Sequence, residues 1–374
     1  MKLALVHDWL NQRGGAEDVL EVLHDLYPTS PIYTSIYYAE KMPASYRQWP
    51  LKTLWIDHMP FIHQRHQPYL PLYPLAWSGT KLTGYDVILS NKSGFCHAVR
   101  HDANTLHICY CLTPTRYVWQ VDAYLNREGY GSLTGNALRP LIAALRAYDF
   151  AATRGVNHFI AISTEVQQRI KNFYRRDSVI IYPPVETARF TPSDGYDDYF
   201  LCLSRLIPYK RIDLAVQAAT LLNVPLKVAG HGRAIDQLKA LAGPTVEFLG
   251  YVPDNEMNTL LARCKAFIFP GLEDFGIAPV QAMAAGRPVI AFGAGGALDT
   301  VIPGLSGELF HEQTVQSLAA AMQAFKPDQY DTAKVRAHAE TFDRTIFERE
   351  ITSFVDQATR AFGDGRAFVW ERPR

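Results

Sequence analysis

Short apolar runs alternate with helical repeats along the whole chain, and that alternation restricts the fold more than any other feature. Runs at Lys2–Val6, Val87–Leu89, Leu106–Cys109, His158–Ile162 and Val179–Tyr182 read as buried strands. A second series, Tyr199–Leu203, Leu226–Ala229, Val246–Phe248, Ala266–Phe269 and Val289–Ala291, reads the same way. Strands covered on both faces are apolar throughout rather than alternating, as in a parallel sheet. Between them, Ala16–Leu26, Thr164–Phe173, Arg211–Leu222, Asn255–Arg263 and Val280–Ala285 carry helical spacing. The pattern predicts doubly wound α/β domains, whose ligands lie beyond the carboxyl ends of the strands.

Two such series in 374 residues predict two domains. The break is expected at Tyr182-Pro183-Pro184-Val185, because consecutive prolines stop a strand and stiffen a connection. The expected division is 1–183, then 184–345, then a terminal segment 346–374, helical and without a strand to feed. Disorder is excluded by 48% hydrophobic and 20% charged residues. Equal numbers of acids and bases, 37 each, argue against a dedicated nucleic-acid binder. Residues 1–183 nevertheless hold 18 Lys and Arg against 14 Asp and Glu, so the front half is the more basic. The five scattered cysteines fit neither a disulfide framework nor a zinc ribbon. No signal peptide and no apolar run of membrane-spanning length is visible, so a cytoplasmic location is expected.

Four constellations could carry chemistry, the first three of them at expected strand ends. Gly14-Gly15, after Val6-His7-Asp8, is either a plain tight turn or a loop that lets backbone approach a phosphate. It is no dinucleotide fingerprint, and Gly230-His231-Gly232 fails the same test because Ile235 takes the third glycine's place. Arg205 and Lys210, in Ser204-Arg-Leu-Ile-Pro-Tyr-Lys-Arg211, form either a solvated cluster or a fork of donors for a diphosphate. Glu273, with Phe275-Gly276-Ile277 behind it, is either a helix-entry acid or a hydroxyl acceptor beside backbone N–H groups. Leu54–Trp77, with four prolines and three histidines among its aromatics, is either a lid that meets lipid or a core excursion. His97 and His107 both qualify to face a ligand. Cys109 and Cys111 are expected on opposite faces of one strand, which argues against a metal there. With no Asp-x-Asp in the chain, no carboxylate pair for a divalent cation is evident.

Taken together these residues resemble the retaining family-four glycosyltransferases of the GT-B fold. The resemblance runs through HDWL with GGAE, Thr113-Pro-Thr-Arg116-Tyr-Val-Trp119, SRLIPYKRID, and EDFGIAPV with Ala294–Val301. It is nearest to the bacterial O-antigen and exopolysaccharide mannosyltransferases. The resemblance implies two Rossmann-like domains facing a cleft: an acceptor-side domain, a nucleotide-sugar domain, and a last helix that crosses back to the first. It implies that Arg205 and Lys210 hold the donor diphosphate, and that Glu273 binds sugar hydroxyls. The N–H groups of Phe275, Gly276 and Ile277 would lie beside the transferred ring. His97 would contact the sugar, while Gly14, Gly15, Ser163 and Arg116 would line the substrate site. Two positions depart from the family pattern. Gln281 stands where the second Glu of E-x7-E is usual, and Leu112 replaces the histidine of CHTP.

The implied activity is retaining transfer of a hexose, α-mannose from GDP-mannose, to a lipid-linked (polyprenyl diphosphate) saccharide in surface polysaccharide synthesis. No metal and no further cofactor is expected, and contact with the inner membrane face would be peripheral. A nucleotide-sugar epimerase and a non-catalytic sugar-nucleotide-binding subunit are the alternatives.

Overall fold

A computed structural model describes residues 1–120 and 132–373. The chain forms two compact units, Met1–Pro184 with Phe347–Arg374, and Val185–Ile346.

The first unit is built on a seven-stranded parallel sheet: β1 (Leu3–His7), β2 (Ile32–Thr34), β3 (Leu51–Thr53), β4 (Val87–Lys92), β5 (Leu106–Cys111), β6 (His158–Ala161) and β7 (Ser178–Ile180). Their order in the sheet is β3-β2-β1-β4-β5-β6-β7. The direction of winding therefore reverses between β1 and β4, whose registers pair His7 with Asn91. Such a reversal leaves a crevice at the carboxyl edge. The helices that matter for the site are α1 (Gly15–Leu26), α2 (Ser132–Ala152) and α3 (Thr164–Arg169).

The second unit repeats the plan with six parallel strands: β8 (Phe200–Leu203), β9 (Leu226–Ala229), β10 (Val246–Gly250), β11 (Ala266–Phe269), β12 (Val289–Phe292) and β13 (Gly307–Phe310), in the order β10-β9-β8-β11-β12-β13. Here the reversal falls between β8 and β11. Helices α4 (Ile212–Leu222) and α5 (Ile277–Ala284) follow those two strands closely. The α4 helix is apolar on a broad face, and Ile212, Leu214, Ala215, Val216, Ala218 and Ala219 are buried in one cluster with β8, β9 and β11.

The last helix, α6 (Arg344–Gly363), begins in the second unit and buries its apolar stripe in the first. Phe347 packs edge-on against Tyr110 of β5, and Phe354 against His158 of β6.

Of the two readings of Leu54–Trp77 the structure shows the core excursion, and one expectation, for the cysteines of β5, needs correction. Leu54–Trp77 is a packed excursion and no loose lid: Leu54, Ile56, Ile62, Tyr73, Ala76 and Trp77 belong to the first unit's core. Cys109 and Cys111 share one face of β5, where the Cys111 thiol interacts with Cys109. A strand's side-chain period is two, so residues i and i+2 point the same way. All five cysteines are buried and free.

Candidate functional site

In the second unit, three loops meet at the carboxyl edge beside the β8/β11 reversal. The first leaves β8 and carries Arg205 and Lys210, the second leaves β11 and carries Glu273, and the third, Gly293–Gly296, leaves β12. Their close approach depends on glycines. A Cβ on Gly271 would sit 3.0 Å from the Lys210 carbonyl. One on Gly296 would land on the Phe275 backbone. The Gly296 N–H donates to the Glu273 carbonyl at 2.9 Å, which ties the third loop to the second.

This nesting brings Lys210 Nζ within 2.6 Å of Glu273 Oε1, both side chains largely buried. Arg205 stands exposed on the same loop. Arg211, at φ 54°, donates to Asp213 and to Gln313, and Gln313 in turn donates to the Pro270 carbonyl. That chain of bonds joins the cation loop to the Glu273 loop. Gly276 precedes α5 at φ 101°, a left-handed conformation that favours glycine. It lets the helix start abruptly after Phe275, with Ile277 as its first residue and Gln281 half-buried one turn on. The site thus offers cations from one loop, a carboxylate from the next and an uncapped helix start, an arrangement suited to a polyhydroxylic anion.

In the first unit the carboxyl edge is organised by groups that the sequence did not single out. Asp8, fully buried after β1, accepts hydrogen bonds from the N–H groups of Ser93 (2.7 Å), Gly94 (2.5 Å) and Cys96 (2.8 Å). Lys92, the last residue of β4, is also fully buried and donates to the Thr113 carbonyl and to Thr115 Oγ1 at 3.3 and 3.2 Å. Asp149 of α2 accepts from Trp119 Nε1 at 2.6 Å and Tyr174 OH at 2.7 Å, and its Oδ1 lies 2.8 Å from Thr115 Oγ1. Burial opposes the charge on Lys92, but Asp149 foremost outweighs it and holds the ammonium above its ordinary pKa. One sequence signal was available: a Lys closing a strand that opens on the apolar run Val87–Leu89 is expensive to bury unless paired.

The expected first-unit residues fare unequally. Gly14 caps α1 in extended backbone that any residue adopts, with Glu17 and Asp18 in the first turn and Gly15 as the first helical residue. Glu17 reaches back to His7 Nε2 at 3.3 Å. Arg116 opens a short helical turn directly after the β5 loop and is partly exposed. His97 and Ser163 are both buried in the first unit. His97 is 1% exposed; its Nε2 donates to the Asp149 carbonyl at 3.2 Å and its ring packs on Tyr174. Burial, reinforced by Lys92, pushes its pKa down to about 4, which keeps the ring neutral at physiological pH. Ser163, also fully buried, caps α3 by accepting from the Val166 N–H at 3.1 Å. His107 is buried against Ser90. Among the described residues no group of three or more His, Cys, Asp or Glu is placed to hold a metal ion.

Comparison with known proteins bears on this geometry. Residues 186–342, which contain the whole second-unit site, match the family model for glycosyl transferases group 1. The chain carries a group 1 glycosyl transferase domain. The serotype-specific mannosyltransferase WbdA of Escherichia coli is 27% identical over 258 residues, 63% of this chain and 31% of that protein. A GDP-mannose-dependent monoacylated α-(1-6)-phosphatidylinositol monomannoside mannosyltransferase of Corynebacterium glutamicum is 29% identical over 215 residues, 48% of this chain and 56% of that one. The chain thus spans about a third to just over half the length of these relatives. Among solved structures, Anabaena HepE in complex with UDP superposes with a TM-score of 0.69 at 20% identity, over 95% of this chain and 100% of that one. That likeness covers both units and makes the fold GT-B. Within it, the glycosyl transferase domain supplies Lys210, Glu273 and Gln281.

Proposed function

We propose that the chain is a retaining glycosyltransferase that moves α-mannose from GDP-mannose to a lipid-linked saccharide. The observation that carries this reading is the Lys210–Glu273 pair at the β8/β11 reversal, 2.6 Å apart. A cation and a carboxylate held together before any ligand arrives suit the two ends of a hexosyl diphosphate. Lys210 and Arg205 face the phosphates and Glu273 the ring hydroxyls. As the glycosidic bond breaks, negative charge grows on the departing phosphate, and fixed cations stabilise it most there. The departing phosphate oxygen then takes the proton of the acceptor hydroxyl that attacks from the same face. The Gln281 amide still offers hydrogen bonds to a ribose, without charge. The mannosyl donor is supported by relatives whose names specify mannosyltransferases.

A lipid-linked acceptor places the enzyme at a membrane surface, and one patch of the first unit fits such a surface. Trp55, Phe61 and Leu75 are exposed at 49, 77 and 61%. Phe61 is held at φ 57°, unusual for an aromatic residue, while buried Ile62 beside it anchors the turn. Residues 41–81 contain five cations, Lys41, Arg47, Lys52, Arg65 and Lys81, and one acid, Asp57; Lys81 pairs with Asp102 at 2.8 Å, and Asp57 is engaged by His63 at 2.8 Å. No helix among the described residues is long and apolar enough to cross a membrane.

Thermal shifts with GDP, UDP, GDP-mannose and UDP-glucose, each with and without EDTA, test the donor. Ligand at about 100 times its Kd stabilises the fold by about 2.7 kcal/mol. Guanosine ligands alone should shift the protein, equally in EDTA. A shift confined to uridine ligands would replace the donor, and no shift with any of them would leave a non-catalytic role.

A further inference from the structure

The loop that carries Arg205 and Lys210 is not fixed by packing alone. A cavity of about 350 Å³ lies behind it, lined by Ile207 and Pro208 of the loop, by Ile212 of α4, and by Leu238 and Leu241 of the helix Ile235–Leu241. Unfilled space on that side leaves the loop's position to directional bonds. Arg211 supplies them. It ends the turn Pro208–Lys210 and precedes α4 in the left-handed region, at φ 54°. Glycine adopts that conformation without the cost an L side chain bears, so the reason for an arginine lies in its side chain. The guanidinium bonds in two directions. Nε and Nη2 donate to the Asp213 carboxylate at 3.1 Å each, and Nη1 donates to Gln313 Oε1 at 3.2 Å. Gln313 Nε2 donates onward to the Pro270 carbonyl at 2.9 Å, just past β11 and three residues before Glu273. Arg211 and Asp213 are 32 and 33% exposed, so their ion pair contributes little to global stability. What the bonds fix is the place of Lys210, one residue away, relative to the Glu273 loop.

We propose that Arg211, with Asp213 and Gln313, is a positioning clamp that holds the cation loop and the Glu273 loop in register, so that Lys210 and Glu273 stand paired before a ligand arrives. Orienting both groups beforehand spares a ligand the cost of ordering the loop. That the pair serves a sugar diphosphate rests on the function proposed above; the clamp itself does not.

Trace acetylation of the ligand-free full chain with acetic anhydride, read by mass spectrometry, reports the reactivity of Lys210, with Lys227 and Lys265 of the same unit as internal references. Arg211→Gly suits the backbone conformation and removes the clamp, and should raise Lys210 acetylation about fivefold relative to the two references. Arg211→Ala should do the same. Gln313→Glu still accepts from Arg211 but sets a carboxylate against the Pro270 carbonyl, so it should match Arg211→Gly, and it stands in should that variant fail to fold. A merely structural arginine would raise all three lysines together. Lys210 in Arg211→Gly reacting as in the wild type, an equal rise at all three lysines, or no change with Gln313→Glu would each overturn the clamp. GDP and UDP affinities carry the test to the site: Arg211→Gly should weaken whichever of them the wild type binds about tenfold, and no further in a Lys210→Ala background. Losses that multiply in that background would overturn the link to Lys210. A wild-type chain that binds neither nucleotide would remove the donor reading alone, and the acetylation would still decide the clamp.

Discussion

His97 makes the first unit acid-sensitive. In the folded chain it stays neutral down to about pH 4. In the unfolded chain it takes up its proton near the ordinary value of about 6.5. The unfolded state binds more protons between those values, so stability present at neutral pH is lost as pH falls from about 6.5 to about 4. The loss for this one group reaches about 3 kcal/mol. His107, displaced in the same direction by burial, adds to it. Urea unfolding at pH 7 and pH 4.5 checks this: His97→Gln should narrow the gap between the two midpoints, and an unchanged gap would assign the sensitivity elsewhere. Lys210→Ala should lower kcat roughly 10²–10³-fold. At this scale the sequence was legible where charge stands at a strand end, as at Lys210 and Glu273. It was less so at His97, because a histidine near a strand end looks the same whether it faces a ligand or Asp149.

The loops at the β8/β11 reversal are set by backbone packing more than by side chains. A methyl at Gly296 would collide with the Phe275 backbone, and one at Gly230, at φ 127°, with the Ser204 carbonyl. Gly296→Ala should therefore destabilise the fold by about 2–4 kcal/mol and separate Glu273 from Lys210. Chemical unfolding that shows less than about 0.5 kcal/mol would contradict that packing. The long apolar strands were readable in outline, since β9 and β11 carry their boundaries in the sequence. The strands β2, β3 and β13 were missed: Ile32–Thr34 and Leu51–Thr53 are three residues each, too short to show a period. Gly307–Phe310 opens on a glycine, which reads as a turn. The aromatic, proline-rich stretch 54–77 concealed a core segment because its buried residues follow no single helical or strand period.

At the scale of the whole molecule, charge is balanced in sum yet uneven in distribution, and the cations of residues 41–81 should give a salt-dependent affinity for anionic lipid. Vesicle co-sedimentation should show binding to phosphatidylglycerol-rich liposomes at low salt, lost towards about 0.5 M salt as screening shortens to a few ångströms. Phe61→Ser with Trp55→Ser should weaken it, and binding indifferent to both salt and these residues would remove the patch. The central claim is the transfer itself. Its most direct measurement is incubation of the purified chain with GDP-mannose and a polyprenyl-diphosphate-linked saccharide in EDTA, followed by NMR of the product's anomeric proton. An α-mannoside, formed with release of GDP and at a rate lowered roughly 10²–10³-fold by Lys210→Ala, is the predicted result. A β-linked product, or transfer that proceeds from UDP-glucose and not from GDP-mannose, would contradict it.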